Sequence, residues 1–144
     1  MFHNLVLGSG LVTLSVFIHT AGLILLGRMI PLLARQLGLH QHDAGRTLVM
    51  AGMVLGLLSL LTTEIWSWAL AYAVLHVTSS FADALFLSTA LFSTLGYGAV
   101  AFDPAWRLLT ALEGINGFLL IGWSTAFLVR ASTRHGPFSR RDHF

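Results

Sequence analysis

Apolar residues occur along this chain in four blocks that short polar segments separate. Three of the blocks, residues 5–27, 47–76 and 108–129, are each at least as long as the roughly 20 residues that a helix needs to cross a bilayer. The remaining block, residues 81–92, is too short to cross. The pattern therefore predicts three transmembrane helices, with one short helix between the second and the third.

The polar segments predict the connections between these helices. Residues 28–46 hold Arg28, Arg35, Arg46 and Pro31, so we expect an interfacial connection there, with room for a short amphipathic turn. We expect the N-terminal block to be a genuine helix rather than a signal peptide. A signal peptide begins with basic residues and has a shorter apolar region.

The composition indicates whether the folded chain lies in water or in a membrane. Hydrophobic residues make up 56% of it and charged residues 10%, and the mean hydropathy is +0.78. Soluble domains are about 25% charged, and disordered chains are poor in apolar residues, so the chain is expected to be an integral membrane protein. The basic residues, all arginine, are not gathered on a face with aromatic residues, so no nucleic-acid partner is expected. Since there is no cysteine, thiolate metal sites and cysteine nucleophiles are excluded.

The arginines also predict an orientation. With the N-terminus outside, seven of the eight arginines lie on the inner side and Arg107 alone lies outside. The opposite orientation would reverse that distribution, against the excess of basic residues found in cytoplasmic loops. We therefore expect a plasma (inner) membrane protein with its N-terminus outside and its C-terminus in the cytoplasm.

The start of the short apolar block carries a helix-capping signal. Ser80-Phe81-Ala82-Asp83 has the spacing in which a serine hydroxyl accepts a free backbone N–H and an acidic side chain reaches back to the cap. The block is followed at once by residues 93–98. A short capped helix between two spans predicts a re-entrant segment, whose irregular backbone is tolerated only where protein or a water-filled path satisfies it.

The re-entrant segment contains Thr94-Leu95-Gly96-Tyr97-Gly98. The two glycines can adopt positive φ without a Cβ clash, so the backbone carbonyls can point the same way along an extended strand. Several such strands in a ring can replace the hydration shell of a monovalent cation. The negative C-terminal end of the preceding helix would favour a cation at the same place.

This pentapeptide resembles the selectivity filter of potassium channels, which is usually written T-V-G-Y-G. Residues 47–129 resemble the outer helix, pore helix, filter and inner helix of that family, in that order, with the helix at residues 5–27 as an addition. The resemblance implies that K⁺ binds at Thr94, Leu95, Gly96 and Tyr97. It also implies a homotetramer, because one chain supplies one of the four filter strands.

The resemblance implies roles for further residues. Gly117 falls where the family often has a hinge glycine, although its small size could equally serve helix packing. Glu113, in a Leu-Glu-x-x-x-Gly pattern, would support the pore helix from behind, and Asp83 would cap that helix at the outer mouth. The residues implied to line the cavity and the gate are Gly117, Phe118, Ile121, Thr125 and Val129.

Two departures from the family pattern leave selectivity open. Ala99 stands where the family commonly has an aspartate after the filter, and Phe86 and Leu87 replace pore-helix tryptophans. Both changes remove hydrogen bonds that brace a filter. A weakly selective monovalent cation channel is therefore the alternative to a potassium-selective one, followed by a non-conducting accessory subunit.

The expected fold is an all-α membrane protein with three transmembrane helices, a pore helix and a filter loop. Its parts are an additional N-terminal helix (1–35), a cytoplasmic loop (36–46), a pore domain (47–130) and a short basic tail (131–144). No enzyme activity is expected, because no G-x-S-x-G, H-E-x-x-H or paired catalytic carboxylates occur. No cofactor is expected beyond K⁺ as the permeant ion, and the partners are K⁺, the lipid bilayer and identical chains.

Two ionisable residues lie inside apolar blocks away from the filter. His19 is expected to pack within the first helix with its ring hydrogen-bonded. Glu64 has Trp66 and Trp68 beside it, residue types that favour the membrane–water interface. We therefore expect Glu64 near the outer interface, where it would snorkel or pair locally.

Overall fold

The computed structural model describes residues 2–39, 42–96 and 104–135, and within these ranges it contains helices and no strand. The helices are α1 (Phe2–Gln36), α2 (Asp43–Val74), α3 (Phe81–Phe92) and α4 (Arg107–His135), and a 3₁₀ turn at Pro104–Trp106 precedes α4. The all-α membrane fold is therefore confirmed.

Three of these helices are long and apolar enough to cross a membrane: α1, α2 and the continuous segment Pro104–Arg134. The fourth, α3, has 12 residues and rises only about 18 Å at 1.5 Å per residue. The described chain thus contains three candidate membrane spans and one short helix between the second and the third, as the apolar blocks predict.

The expected interfacial connection over residues 28–46 is wrong in most of its length. Helix α1 continues through Pro31 to Gln36, and α2 begins at Asp43. Proline removes one hydrogen bond from a helix interior. Here the lost bond is offset by packing, since Ala34, beyond the proline, is buried against α2 and α4. Gly38, with a left-handed φ of 65°, lies just after the end of the helix.

Helix α1 packs against both α2 and α4. Close approach depends on small residues, as is usual between membrane helices. A Cβ added at Gly22 would collide with Leu60 of α2, and one added at Gly56 would collide with Leu26 of α1. Three buried clusters follow one another along the bundle: Trp68, Tyr72, Leu87 and Leu109 with their neighbours; Leu23, Leu57 and Leu60; and Ala34, Val49, Met53 and Ala131.

Helix α3 lies between α2 and α4 and contacts both. Its first turn has the predicted cap: the Ser80 hydroxyl accepts the Asp83 backbone N–H at 3.1 Å and donates to the Asp83 carboxylate at 2.7 Å. The Ser79 hydroxyl donates to the same carboxylate at 3.1 Å. The cap therefore sets where α3 begins.

The cap predicts the effect of Ser80→Ala. Loss of the side-chain acceptor leaves the Asp83 N–H without its cap, so the free energy of unfolding in mixed micelles should fall by about 1 kcal/mol. Ser79→Ala is the matched control, because among the described residues its hydroxyl caps no N–H. Equal losses in the two variants would contradict a specific capping role for Ser80.

Candidate functional site

The segment that follows α3 leaves the helix through a left-handed turn. The N–H groups of Thr94 and Gly96 donate back to the carbonyls of Leu91 and Ala90 at 3.0 and 3.3 Å. Thr94 has a φ of 62° and Gly96 a φ of 61°. The positive φ expected at Gly96 is present, whereas the one at Thr94 is not anticipated by the sequence.

Thr94 is the unusual member of this turn. A β-branched residue with positive φ is an outlier, and such a conformation costs roughly 1–3 kcal/mol unless the surroundings impose it. Glycine is the usual residue at this position after a helix. Thr94 therefore places a hydroxyl side chain at a position where glycine would adopt the same φ with less strain.

Residues 94–96 are all exposed, and Leu95 is 76% exposed. Thr94 and Gly96 line one edge of an open depression of about 590 Å³ whose other wall is α4. Tyr97 and Gly98 of the predicted filter, together with Ala99 and Asp103, lie outside the described residues.

The Glu113 carboxylate joins three helices. Glu113 lies on α4 and is 0% exposed. One of its oxygens is 2.5 Å from the Ser88 hydroxyl of α3, and the other accepts a hydrogen bond from the Tyr72 hydroxyl of α2. The Ser88 hydroxyl also lies 2.9 Å from the Ile65 carbonyl oxygen of α2. This arrangement holds the middle of α3 against both long helices.

The sequence does not identify the partners of Glu113. Ser88 and Tyr72 lie 25 and 41 residues from it in the chain. Their only sequence signal is that each is a polar residue inside an apolar block. Such a residue needs a hydrogen-bond partner when buried, but its spacing along the chain does not say which one.

Gly117 touches the backbone at the end of α3. A Cβ added there would collide with the backbone of Phe92, whereas one added at Gly114 would sit at an ordinary 3.7 Å from the Leu91 carbonyl oxygen. The contact favours the packing interpretation of Gly117. The hinge interpretation stays a prediction.

The other residues predicted to line the cavity lie along one side of α4. Phe118, 68% exposed, borders the depression beside residues 94–96. Thr125 and Val129 are also exposed, two and three helical turns further on, while Ile121 is half-buried. Ile121 and Thr125 border a shallow groove between α2 and α4. Among the described residues, Phe118, Thr125 and Val129 thus form an exposed side of α4.

A second buried polar contact joins α1 to α2. His19 Nδ1 lies 2.9 Å from a carboxylate oxygen of Glu64, and both side chains are 0% exposed. The His19 ring also lies against Trp123 of α4, with 5.4 Å between ring centroids. The hydrogen-bonded His19 ring is confirmed. Glu64 does not snorkel, because α1 covers this side of α2 and supplies His19 as its partner. Its expected place near the outer interface stays a prediction.

No group of three or more His, Cys, Asp and Glu residues within 2–39, 42–96 and 104–135 could hold a metal ion. The oxygen atoms near the depression are those of the backbone and of the Thr94 and Thr110 hydroxyls. These neutral oxygens can coordinate a monovalent cation only if several chains contribute them together.

Comparison with known proteins gives one family. A family model described as an ion channel matches residues 58–134, which is more than half of the chain. The match runs from the middle of α2 to the last turn of α4, and α1 lies outside it. No curated protein and no solved structure matches the chain.

The Gly117 contact predicts a position-specific effect of alanine. Gly117→Ala places a methyl group against the Phe92 backbone, so α3 must shift, and the free energy of unfolding should fall by about 1–3 kcal/mol. Gly114→Ala is the control on the same helix, one turn earlier, and should be neutral or slightly stabilising. Unfolding in mixed micelles measures both, and similar values would contradict the close approach.

The His19–Glu64 contact predicts energetic coupling between α1 and α2. In a double-mutant cycle with His19→Ala and Glu64→Ala, we expect a coupling energy of about 1 kcal/mol, as for buried polar pairs between membrane helices. A cycle pairing His19→Ala with Thr62→Ala, an exposed residue of α2, provides the control. Additive losses for His19 and Glu64 would show that the pair does not hold the two helices together.

Proposed function

Because the chain belongs to the ion channel family that matches its residues 58–134, we propose that it conducts K⁺ passively through a filter built by four identical chains. Each chain would contribute one strand, Thr94-Leu95-Gly96-Tyr97-Gly98. The permeant ion would bind to the backbone oxygens of Thr94, Leu95, Gly96 and Tyr97, and passive conduction involves no covalent chemistry. The site would lie in the plasma membrane, with the N-terminus outside.

The observation that carries this proposal is the backbone at the end of α3. Left-handed conformations recur at alternate positions, Thr94 and Gly96. In an ordinary extended strand successive carbonyls point to opposite sides, whereas a left-handed residue at every second position turns them toward one side. One-sided carbonyls are what coordination of a bare monovalent cation requires.

Electrostatics support the same place. The C-terminal end of a helix carries a partial negative charge equivalent to roughly half an elementary charge. Thr94 comes directly after the C-cap residue of α3, Ser93. A cation is therefore favoured at the inner end of the proposed filter, and the hydroxyl of Thr94 adds an oxygen ligand at that level.

In the proposed tetramer, the exposed side of α4 would face the neighbouring chains and the central cavity. The exposed side of α4 carries large apolar residues, among them Ile115, Phe118 and Leu119. Closed cyclic assembly of identical chains would bury part of this side and leave the remainder facing a central cavity. We assign Phe118, Ile121, Thr125 and Val129 to the cavity and the gate, with Gly117 holding α4 against the filter-bearing helix.

Glu113 and Asp83 act as supports in this proposal. Glu113 fixes α3 from behind through Ser88, and Asp83 takes part in the cap at its outer end. The hydrogen bonds of both side chains go to residues that position α3. In this proposal both residues therefore act on the filter through the position of α3.

The second candidate is a weakly selective monovalent cation channel. It is favoured by the residues around the filter: Phe86 is exposed and, like the buried Leu87, offers no hydrogen bond from its side chain, and Ala99 lacks the carboxylate common in the family. A filter with fewer lateral hydrogen bonds would discriminate less between K⁺ and Na⁺. A non-conducting accessory subunit ranks third.

Gly96→Ala tests the filter directly. The added methyl group is strained at a φ of 61° and disfavours the backbone conformation that the proposed filter needs, so K⁺ flux into liposomes should fall to the level of protein-free vesicles. Gly52→Ala is the control, because a Cβ there meets nothing within 4 Å. Unchanged flux in a folded Gly96→Ala protein would refute the proposed filter.

Reversal potentials under bi-ionic K⁺ and Na⁺ conditions separate the two channel candidates. A shift that favours K⁺ supports the selective filter, and equal permeability supports the weakly selective one. Cross-linking of the purified protein should give a four-chain product. A monomer without conductance would favour the accessory subunit.

A further inference from the structure

A second cavity lies far from residues 94–96, between α1 and α4. It has a volume of about 280 Å³. Its walls come from one face of each helix: Ile24, Gly27, Arg28 and Pro31 recur at helical spacing on α1, and Phe127, Arg130, Ala131 and Arg134 do so on α4, while Leu23 of α1 and Met53 of α2 complete the lining.

Three arginines border this cavity at the level where the apolar blocks end. Arg28 directly follows the apolar residues 5–27 of α1, and Arg130 directly follows residues 108–129 of α4. Arg134 lies one helical turn beyond Arg130 on the same face. The three arginines therefore line one cavity where the apolar blocks end, at the end of the bundle opposite to the α3 cap, and arginines at the ends of apolar spans favour the membrane–water boundary.

No acidic side chain pairs with these arginines in the part of the chain that the structure describes; the ion-pair contact found there is His19–Glu64. Three like charges around one small cavity repel each other, and a bound anion removes that repulsion. Guanidinium groups recognise phosphate through paired N–H donors. The charge of the rim thus favours a phosphate group.

The floor of the cavity distinguishes a lipid from a free anion. Leu23, Ile24, Met53 and Phe127 present apolar surface below the arginines. A free phosphate gains nothing from such a floor, whereas the methylene groups next to a phospholipid headgroup would be buried against it. Sites that hold whole drug-sized ligands are about 300–1,000 Å³, so this cavity matches a headgroup with the start of an acyl chain.

We propose that this cavity is a binding site for an anionic phospholipid, with Arg28, Arg130 and Arg134 contacting the phosphate and the apolar floor taking the first methylene groups. Basic pockets between membrane helices are suited to such headgroups. The bound lipid joins α1, which lies outside the family match, to the last turns of α4. The site does not depend on which ion the channel conducts.

Native mass spectrometry of the full-length purified protein tests the proposal, with phosphatidylglycerol as the probe and phosphatidylcholine for comparison. We expect preferential retention of phosphatidylglycerol. Arg28→Gln should weaken its binding about fivefold, and Arg28→Gln with Arg130→Gln about 25-fold, since each basic residue near a membrane surface contributes a comparable step. Arg35→Gln, an exposed arginine of α1 outside the cavity lining, should leave binding unchanged.

Three results would overturn the proposal. These are equal retention of the two lipids, wild-type binding in the double variant, and displacement of phosphatidylglycerol by millimolar inorganic phosphate, which would indicate a free-anion site. If the double variant does not fold, the melting temperature of the wild-type protein still tests the proposal. Phosphatidylglycerol should raise its melting temperature above the value in phosphatidylcholine, and no difference counts against the site.

Discussion

Every polar group buried among membrane helices needs a partner from the protein, because hydrocarbon offers none. That requirement sets the position of α3. The Glu113 carboxylate can be satisfied only where Ser88 of α3 and Tyr72 of α2 meet it. Moving α3 along or away from α4 would leave one oxygen of this buried carboxylate without its Ser88 partner, which costs more than any single apolar contact. The short helix α3 is therefore held in place by its hydrogen bond to the buried Glu113 carboxylate.

Three different kinds of contact act on α3 along its length. A side-chain cap determines where it starts, the carboxylate holds its middle, and the bare backbone of Gly117 allows α4 to approach its last turn. The geometry of Thr94 follows from these constraints. A β-branched residue remains left-handed only when the structure around it leaves no easier conformation. The packing of the helices thus determines the backbone that the proposed filter uses.

The part of this architecture that depends on local sequence is predictable. Block lengths predict three spans and one short helix, and Ser80 with Asp83 predicts where α3 begins, because caps and span lengths are set by adjacent residues. The course of α1 beyond Pro31 is not predictable in this way, since burial of Ala34 against two distant helices overrides the proline. The residues beside Glu64 likewise give no sign that its carboxylate is buried against His19 of α1.

The same limit applies to the candidate site. The motif at residues 94–98 and the importance of Glu113 can be inferred from composition and resemblance. The partners of Glu113 and the left-handed Thr94 cannot, because both arise from contacts between segments far apart in the chain. The assignment of Tyr97 and Gly98 to the filter stays a prediction.

The burial of Glu64 has a consequence for any attempt to reduce this protein to a minimal two-helix pore. Glu64 belongs to the portion that the ion channel family matches, yet its partner, His19, belongs to α1 outside that portion. Removing α1 would take away the partner of the Glu64 carboxylate and expose this side of an apolar helix. A shortened version would therefore also need Glu64 replaced by an apolar residue. The first helix is thus part of the packed structure of the protein, and it cannot be removed without changing α2 as well.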